Sequence, residues 1–330
     1  MSRAFDHYLM VDWSANSTPK MGKDSIWLCV GNHVGPSAPE NLGTRDQAVE
    51  RIAEIIGGCV EAGGRILVGF DFAFGYPNGF AEKAWPEIQG KPWEKVWKGL
   101  LAEVKRDNQA KGNGFDRFDF ASKLNERVSG GGRTGPFWGC PEKSNWISPT
   151  KPNPLGFERL RIGEKQIPGV QETWKLYAPG SVGSQTLLGI PRVADLRFNH
   201  FKDIAEVWPF ETGLGLGTKQ VVFAEIWPGI VNGVVAQKER SRQEVRDAIQ
   251  VESMVEWCIK QDAKGALAGW MSPEVEDQNR VVSEEGWILG VGSGTDQVDV
   301  ADLFTHAFAA ARESGMSEEQ IARFIEGFKK

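Results

Sequence analysis

The sequence predicts an α/β fold, a mixed β-sheet flanked by helices and interrupted by a large irregular insertion. Three observations predict it. Two apolar runs, "YLMVDW" and "RILVGFDFAFGYP", read as buried strands, and each meets an acid at the same end, Asp12 and Asp71. Between them, "TRDQAVERIAEIIGGCVEAGG" repeats apolar residues at Ala48, Ile52, Ile55, Ile56 and Cys59, close to helical spacing, and stops at Gly63-Gly64. A later run, "QVVFAEIWPG", reads as a further strand that carries Glu225 and ends before Pro228.

The remaining elements follow in order. "SIWLCVG", Ser25 to Gly31, is a second strand, and a third before the first helix is poorly marked. From about Asn78 to Thr218, glycine, proline and tryptophan become frequent, and "VSGGGRTGPFWGCPEKSNWISPTKPNP" has neither a helical nor a strand period. Residues 81–215 are therefore expected to form a cover or subdomain over a core made of 1–80 and 216–330. Within that insertion, "TWKLYAPGSVGSQTLLGIPRVADLR" reads as strand, glycine loop and helix. An amphipathic helix from about Gln243 to Lys260 comes next, then "GWILGVG". The last pattern, "TDQVDVADLFTHAFAAARES", is a helix with Thr295 or Asp296 as N-cap.

Composition bounds the function. With 41% hydrophobic and 25% charged residues, the 330-residue chain is an ordinary globular sequence. No run approaches a membrane span, and charge followed by a strand occupies the N-terminus where a signal peptide needs its apolar stretch, so the expectation is a cytoplasmic protein with no membrane partner. Cys29, Cys59, Cys140 and Cys258 are far apart and read as buried, reduced thiols. The four histidines are scattered too, so a metal site would be built from carboxylates, which suit Mg2+ or Mn2+ better than zinc. The net charge of -6 argues against a nucleic-acid coat protein. It is unevenly spread: Lys83 to Lys202 holds 20 Lys and Arg against 12 Asp and Glu, and the flanks hold 18 against 32. The split fits either a scattered solvated surface or a basic wall holding an anionic substrate against an acidic site.

The acids carry the chemistry. In the last helix an apolar stripe of Val300, Leu303, Phe304, Ala307, Phe308 and Ala311 leaves Asp299, Asp302 and His306 on an adjoining face. Carboxylates gathered in one place raise one another's proton affinity unless a cation neutralises them. Asp12, Asp71, Glu225, Asp299 and Asp302 are therefore the candidate metal ligands, with Asp12, Asp71, Asp299 and Asp302 catalytic. Each acid also has a plainer reading, as a turn residue at a strand end or as a partner of the helix dipole.

The order of strand with Asp, further strands, helix, strand with acid, later strand and terminal Asp-x-x-Asp helix is that of the ribonuclease H-like fold. Through "YLMVDWSA", "ILVGFDFAFGYP", "VVFAEIWPGIV" and "DQVDVADLFTHAFAAA" the chain resembles a bacterial domain-of-unknown-function family of predicted ribonuclease H-like nucleases, over roughly residues 7–80 and 215–312. The resemblance implies that Asp12 and Asp71 take the first two metal-ligand positions, that Glu225 sits in a recurring acid-x-x-Pro strand, and that Asp299 and Asp302 are the helix acids. "KDSIWL", "LYAPGSVGSQTLLGIP" and "EEGWILGVG" resemble a proteobacterial subgroup labelled as taking part in molybdopterin guanine dinucleotide synthesis. Many ribonuclease H-like enzymes place a further basic or histidine residue near the helix acids, and here His306 alone could serve.

Two lesser signals remain. Gly180, Ser181, Gly183 and Ser184 precede a helix, where amides and hydroxyls could hold a substrate phosphate or simply cap the helix. Trp85, Trp93, Trp97, Trp138, Trp146 and Trp174 could stack on bases or pack in a core. Two functions compete. One is a divalent-metal-dependent phosphodiester hydrolase acting on a phosphorylated small molecule or a nucleic-acid strand. The other is a non-cleaving nucleotide- or molybdopterin-binding accessory protein. A kinase-like reading is weaker, because those ATPases duplicate the domain and one set of motifs is visible.

Overall fold

The computed structural model describes residues 3–107, 112–132, 134–141, 155–177 and 181–292. In chain order these residues form β1 (His7–Asp12), β2 (Ile26–Asn32), β3 (Gly35–Pro36), β4 (Glu40–Leu42), α1 (Arg45–Glu61), β5 (Ile66–Phe70), α2 (Phe80–Ala84), α3 (Pro92–Arg106), α4 (Arg117–Val128), α5 (Gly183–Asp195), β6 (Ala205–Val207), β7 (Val221–Ile226), α6 (Asn232–Ser241), α7 (Arg246–Ala263), α8 (Leu267–Trp270), α9 (Gln278–Arg280) and β8 (Ile288–Leu289). The strands make one mixed eight-stranded sheet in the order β3-β2-β1-β5-β7-β6, with β4 also on β2 and β8 also on β7. β1 runs antiparallel to β2 and parallel to β5. β5, β6 and β8 all run parallel to β7.

Side-chain alternation divides the core into two layers. Leu9 and Val11 of β1, Val68 and Phe70 of β5 and Val221 and Phe223 of β7 face one side, where α1, α3, α4 and α5 cover them. Tyr8 and Met10, Leu67, and Val222 and Ala224 face the other, against Ile249, Met254, Val255 and Cys258 of α7. Burial on both faces explains why the central strands read as continuous apolar runs. It also decides where the acid goes: Asp12, two residues beyond Met10, falls on the α7 side.

The first helix begins at Thr44, whose hydroxyl accepts from the Gln47 amide at 3.2 Å. It ends at Gly63, whose φ of 77° a residue with a Cβ adopts only under strain. The middle of the chain departs from the expected cover. Its helices α3, α4 and α5 share a single core with the strands, and β6 joins the sheet edge. "TWKLY" makes one bridge, between Trp138 and Lys175, where a strand was expected. Its tryptophans are packing residues: Trp85, Trp93, Trp97 and Trp174 are fully buried, Trp138 is partly buried, and Trp146 lies outside the described residues. The four cysteines are buried. Among the described residues no helix is long and apolar enough to cross a membrane.

Helix α5 approaches the sheet closely because Gly189 lies against the Phe72 ring, where a Cβ would come within 2.3 Å of it. Gly189→Ala should destabilise the fold by about 1 to 3 kcal/mol through overpacking. A urea midpoint equal to the wild type's would disprove that tight contact.

Candidate functional site

The parallel register of β1 and β5 places Val11 opposite Phe70, so the acids that follow, Asp12 and Asp71, leave neighbouring strands at the same end of the sheet. The backbone holds them together. The Asp71 amide donates to Val11 O at 3.2 Å, and the Trp13 amide donates to Asp71 Oδ1 at 2.7 Å. The two carboxyls interact directly, and their charges favour a proton shared between them. Burial, and for Asp12 the charges of Asp71 and Asp247, hold Asp12 well above the usual carboxylate range. Burial likewise pushes Asp71 up to about 7, although the Trp13 amide and Asp12 itself favour its charged form.

Two further acids face this pair. Asp247 lies in the first turn of α7, where its carboxylate accepts from the Asp24 amide at 2.7 Å, and burial raises its proton affinity as well. Nothing in the sequence singled Asp247 out, because an aspartate in a first helical turn is ordinary for its dipole. Asp24 adopts a left-handed backbone, φ 55°, that turns its amide toward Asp247.

Glu225 belongs to a different arrangement. Its Oε1 accepts from Arg161 Nη2 at 2.6 Å, and its Oε2 accepts from Arg161 Nη1 at 2.8 Å and from the Phe74 amide at 3.0 Å. Arg161 is 2% exposed and also donates from Nε to Glu164 and from Nη1 to Glu285 O. The charge that the sequence reading assigned to a metal is met here by a guanidinium, and both carboxylate oxygens are occupied. Arg161 lies 64 residues from Glu225 in a stretch with no periodicity, so no sequence signal connects them.

The glycine loop is also engaged internally. The Gly183 amide donates to Lys175 O, and a Cβ there would sit 2.4 Å from Thr173 O, so this glycine serves close backbone packing. Ser184 Oγ donates to Leu176 O at 2.6 Å and accepts from Arg117 Nε at 2.8 Å. Ser181 stands partly exposed just before α5. Gly180, Asp299, Asp302 and His306 lie outside the described residues.

Among the described residues no group of three or more His, Cys, Asp or Glu side chains is arranged to hold a metal. Two hard oxygen ligands sharing a proton nevertheless suit Mg2+, which keeps several waters and takes one or two carboxylates together with substrate phosphates. An open groove of about 660 Å3 lies elsewhere, along the β6 edge, lined by Trp93, Lys98, Lys105, Arg197 and Lys202. Lys98, Lys105 and Arg197 are each paired there with an acid, Glu94, Asp195 and Glu211, which leaves little charge for a ligand. The chain matches no protein-family model, no curated protein and no solved structure.

The two kinds of acid predict opposite mutational outcomes. Removing Glu225 strands the buried Arg161 charge, so Glu225→Ala should cost about 3 to 5 kcal/mol of stability, read from the denaturation midpoint. The aspartate pair behaves in reverse. Folding raises its proton affinity from the 3.8 of a free aspartate, so the stability it contributes is complete below that pH and is lost as the pH climbs through about 7. Asp12→Asn keeps a donor facing Asp71 without a titrating proton. Its melting temperature should exceed the wild type's by several degrees at pH 8, with the gain shrinking toward pH 4, and a pH-independent difference would refute the shared proton.

Proposed function

We propose that this chain is a divalent-metal-dependent phosphodiester hydrolase, nuclease-like in chemistry and built on a ribonuclease H-like sheet. The observation that carries the proposal is the Asp12–Asp71 pair: two partly exposed carboxyls that leave adjacent parallel strands at the same end of the sheet and raise each other's demand for a proton or a cation. Side chains kept only for structure are not expected to retain such repulsion, whereas a cation site needs it. The strand order supports the same reading, since an antiparallel β2–β1 pair continues into parallel β5 and β7 with α1 between β4 and β5.

Asp12 and Asp71 would hold the ion, with Asp299 and Asp302 proposed to complete the set. Mg2+ or Mn2+, when bound, supplies the positive charge that polarises a phosphoryl oxygen and favours loss of a proton from water. The protein's own part is positioning and proton control. The Trp13 amide fixes Asp71 Oδ1, so the orientation of that carboxylate is set before any ligand arrives. Asp12 surrenders its proton to solvent as the pair becomes dianionic, which couples ion binding to pH. Asp247, across the site on α7, adds negative charge that opposes anions approaching without a cation.

The purified protein should cleave a phosphodiester such as bis(p-nitrophenyl) phosphate or a short oligonucleotide only with Mg2+ or Mn2+ present. Asp12→Asn should lower that rate by roughly a thousandfold or more while the protein stays folded. A protein whose melting temperature ignores both ions, and which turns over none of these substrates, is the non-cleaving accessory protein instead.

A further inference from the structure

The segment that leads toward α5 presents a surface of its own. From Trp174 to Tyr177 the side chains alternate: Trp174 and Leu176 point inward, each 1% exposed, and Lys175 and Tyr177 point outward. Trp138, the one tryptophan among the described residues of the middle stretch that is not fully buried, lies across from Lys175. Its amide donates to Trp174 O at 3.0 Å and its carbonyl accepts from the Leu176 amide at 2.9 Å. Trp138, Lys175 and Tyr177 therefore share one face, with Lys175 Nζ 6.0 Å from the centre of the Trp138 ring.

The first turn of α4 extends that face. Phe118 meets Tyr177 edge-on, 6.4 Å between ring centres, and the Arg117 guanidinium lies over the Phe118 ring at 4.4 Å. Three rings and two cations thus alternate across the surface. Tyr177 is 47% exposed, the one aromatic among the exposed large hydrophobic side chains of the described residues, and the other four are partly open. The acids beside the strip are engaged elsewhere. Asp116 caps α4 through the Phe118 and Asp119 amides, Asp119 pairs with Lys123, and buried Glu172 lies 3.6 Å from Arg159. The strip is also fastened to the acid pair. Ser184 Oγ joins Arg117 Nε to Leu176 O, and the next residue, Gln185, donates at 2.5 Å to the carbonyl of Trp13, whose amide holds Asp71.

We infer that Trp138, Tyr177 and Phe118, interleaved with Lys175 and Arg117, form a stacking strip for a single-stranded nucleic acid. Unpaired bases stack on open aromatic rings, and cations set between the rings complement the phosphates that join the bases. A duplex keeps its bases inside and offers the rings nothing. An acidic peptide would match the cations and leave the rings unused. Every base has a π-face, so the strip holds a strand with little regard to its sequence. The charge distribution agrees: the whole chain carries -6, but the stretch Lys83 to Lys202, which supplies all five residues, holds 20 Lys and Arg against 12 Asp and Glu. This deepens the hydrolase reading by naming its substrate as a single strand, and it rests on that reading for its purpose alone, since stacking needs no metal.

Fluorescence anisotropy of a short labelled oligothymidylate, titrated with the full chain in EDTA at low salt, reads the strip without cleavage. The wild-type protein should bind it, and more weakly as salt is added. Tyr177→Ala, a change at an exposed position that leaves the core intact, should weaken binding about tenfold, and Tyr177→Phe, which keeps the ring, should restore it. Val34→Ser, at the exposed β2–β3 turn, should change nothing. Absence of binding, equal affinity for a duplex of the same length, or unchanged affinity in Tyr177→Ala each overturns the proposal. Polyglutamate that competes as well as the oligonucleotide would make this a site for an acidic peptide and overturns it too. Metal-dependent cleavage of bis(p-nitrophenyl) phosphate without oligonucleotide binding would sink the strip and spare the hydrolase. Oligonucleotide binding with no turnover of any phosphodiester would spare the strip and sink the hydrolase.

Discussion

The buried Arg161 guanidinium is the interaction on which the rest of the architecture depends. It grips both oxygens of Glu225 at the end of β7, bonds Glu164 in its own segment, and donates to the Glu285 carbonyl from the last described part of the chain. Glu285 extends the tie, accepting from the Asn78 and Ile162 amides and from Arg280. Glu284 beside it accepts from the Gly79 and Ala81 amides where α2 starts. Four stretches far apart in the chain are thus fastened at one point. A hydrophobic replacement of equal volume could be as stable, but it would not impose this register, because only charge with directional donors discriminates one alignment from another.

That network clarifies what is different about Asp12 and Asp71. The buried Glu164, Glu225 and Glu285 are each met by an arginine, and Glu206 and Glu284 by backbone amides. At the ends of β1 and β5 the protein supplies no cation among the described residues and leaves the repulsion to a proton. Arg45 is the mirror image, a buried cation with carbonyls for company. Uncompensated charges of opposite sign at the start of one loop would be a costly accident in a structural core, since each could have been relieved by a single substitution.

The acid-terminated strands were legible because their signal is local. β1, β5 and β7 are apolar runs whose pattern follows from burial on both faces, and α1 announces itself through its helical spacing and Gly63-Gly64. What the sequence concealed was long-range. The three-residue β6 is too short to carry a period, and α3 helps complete one face of the sheet from a stretch that composition marked as irregular, beside α5, whose helix was legible but whose place in the core was not. An acid at a strand end looks the same whether its partner is a proton, as for Asp12, or an arginine, as for Glu225. Arg45 reads as an ordinary first residue of a helix and Asp247 as an ordinary dipole partner. Ser184 shows the opposite failure: its glycine-rich context suggested a ligand, but its hydroxyl is consumed by Leu176 and Arg117.

The loop between the two charged sites is held from both sides, and that determines how the site is kept in shape. Its Trp13 amide is taken by Asp71 and its Trp13 carbonyl by Gln185, while Arg45 takes the next carbonyls along. The Trp13 indole is buried against Phe70 and Phe72, with ring centroids 6.2 and 5.9 Å away. Phe72 in turn rests on Gly189 of α5. The position of the Asp71 carboxylate is therefore set through Trp13 by the packing of an aromatic cluster, a close-packed interior that yields little to thermal motion. Preorganisation here comes from the core and not from the loop, so the geometry of the acid pair is a property of the whole helical layer above it.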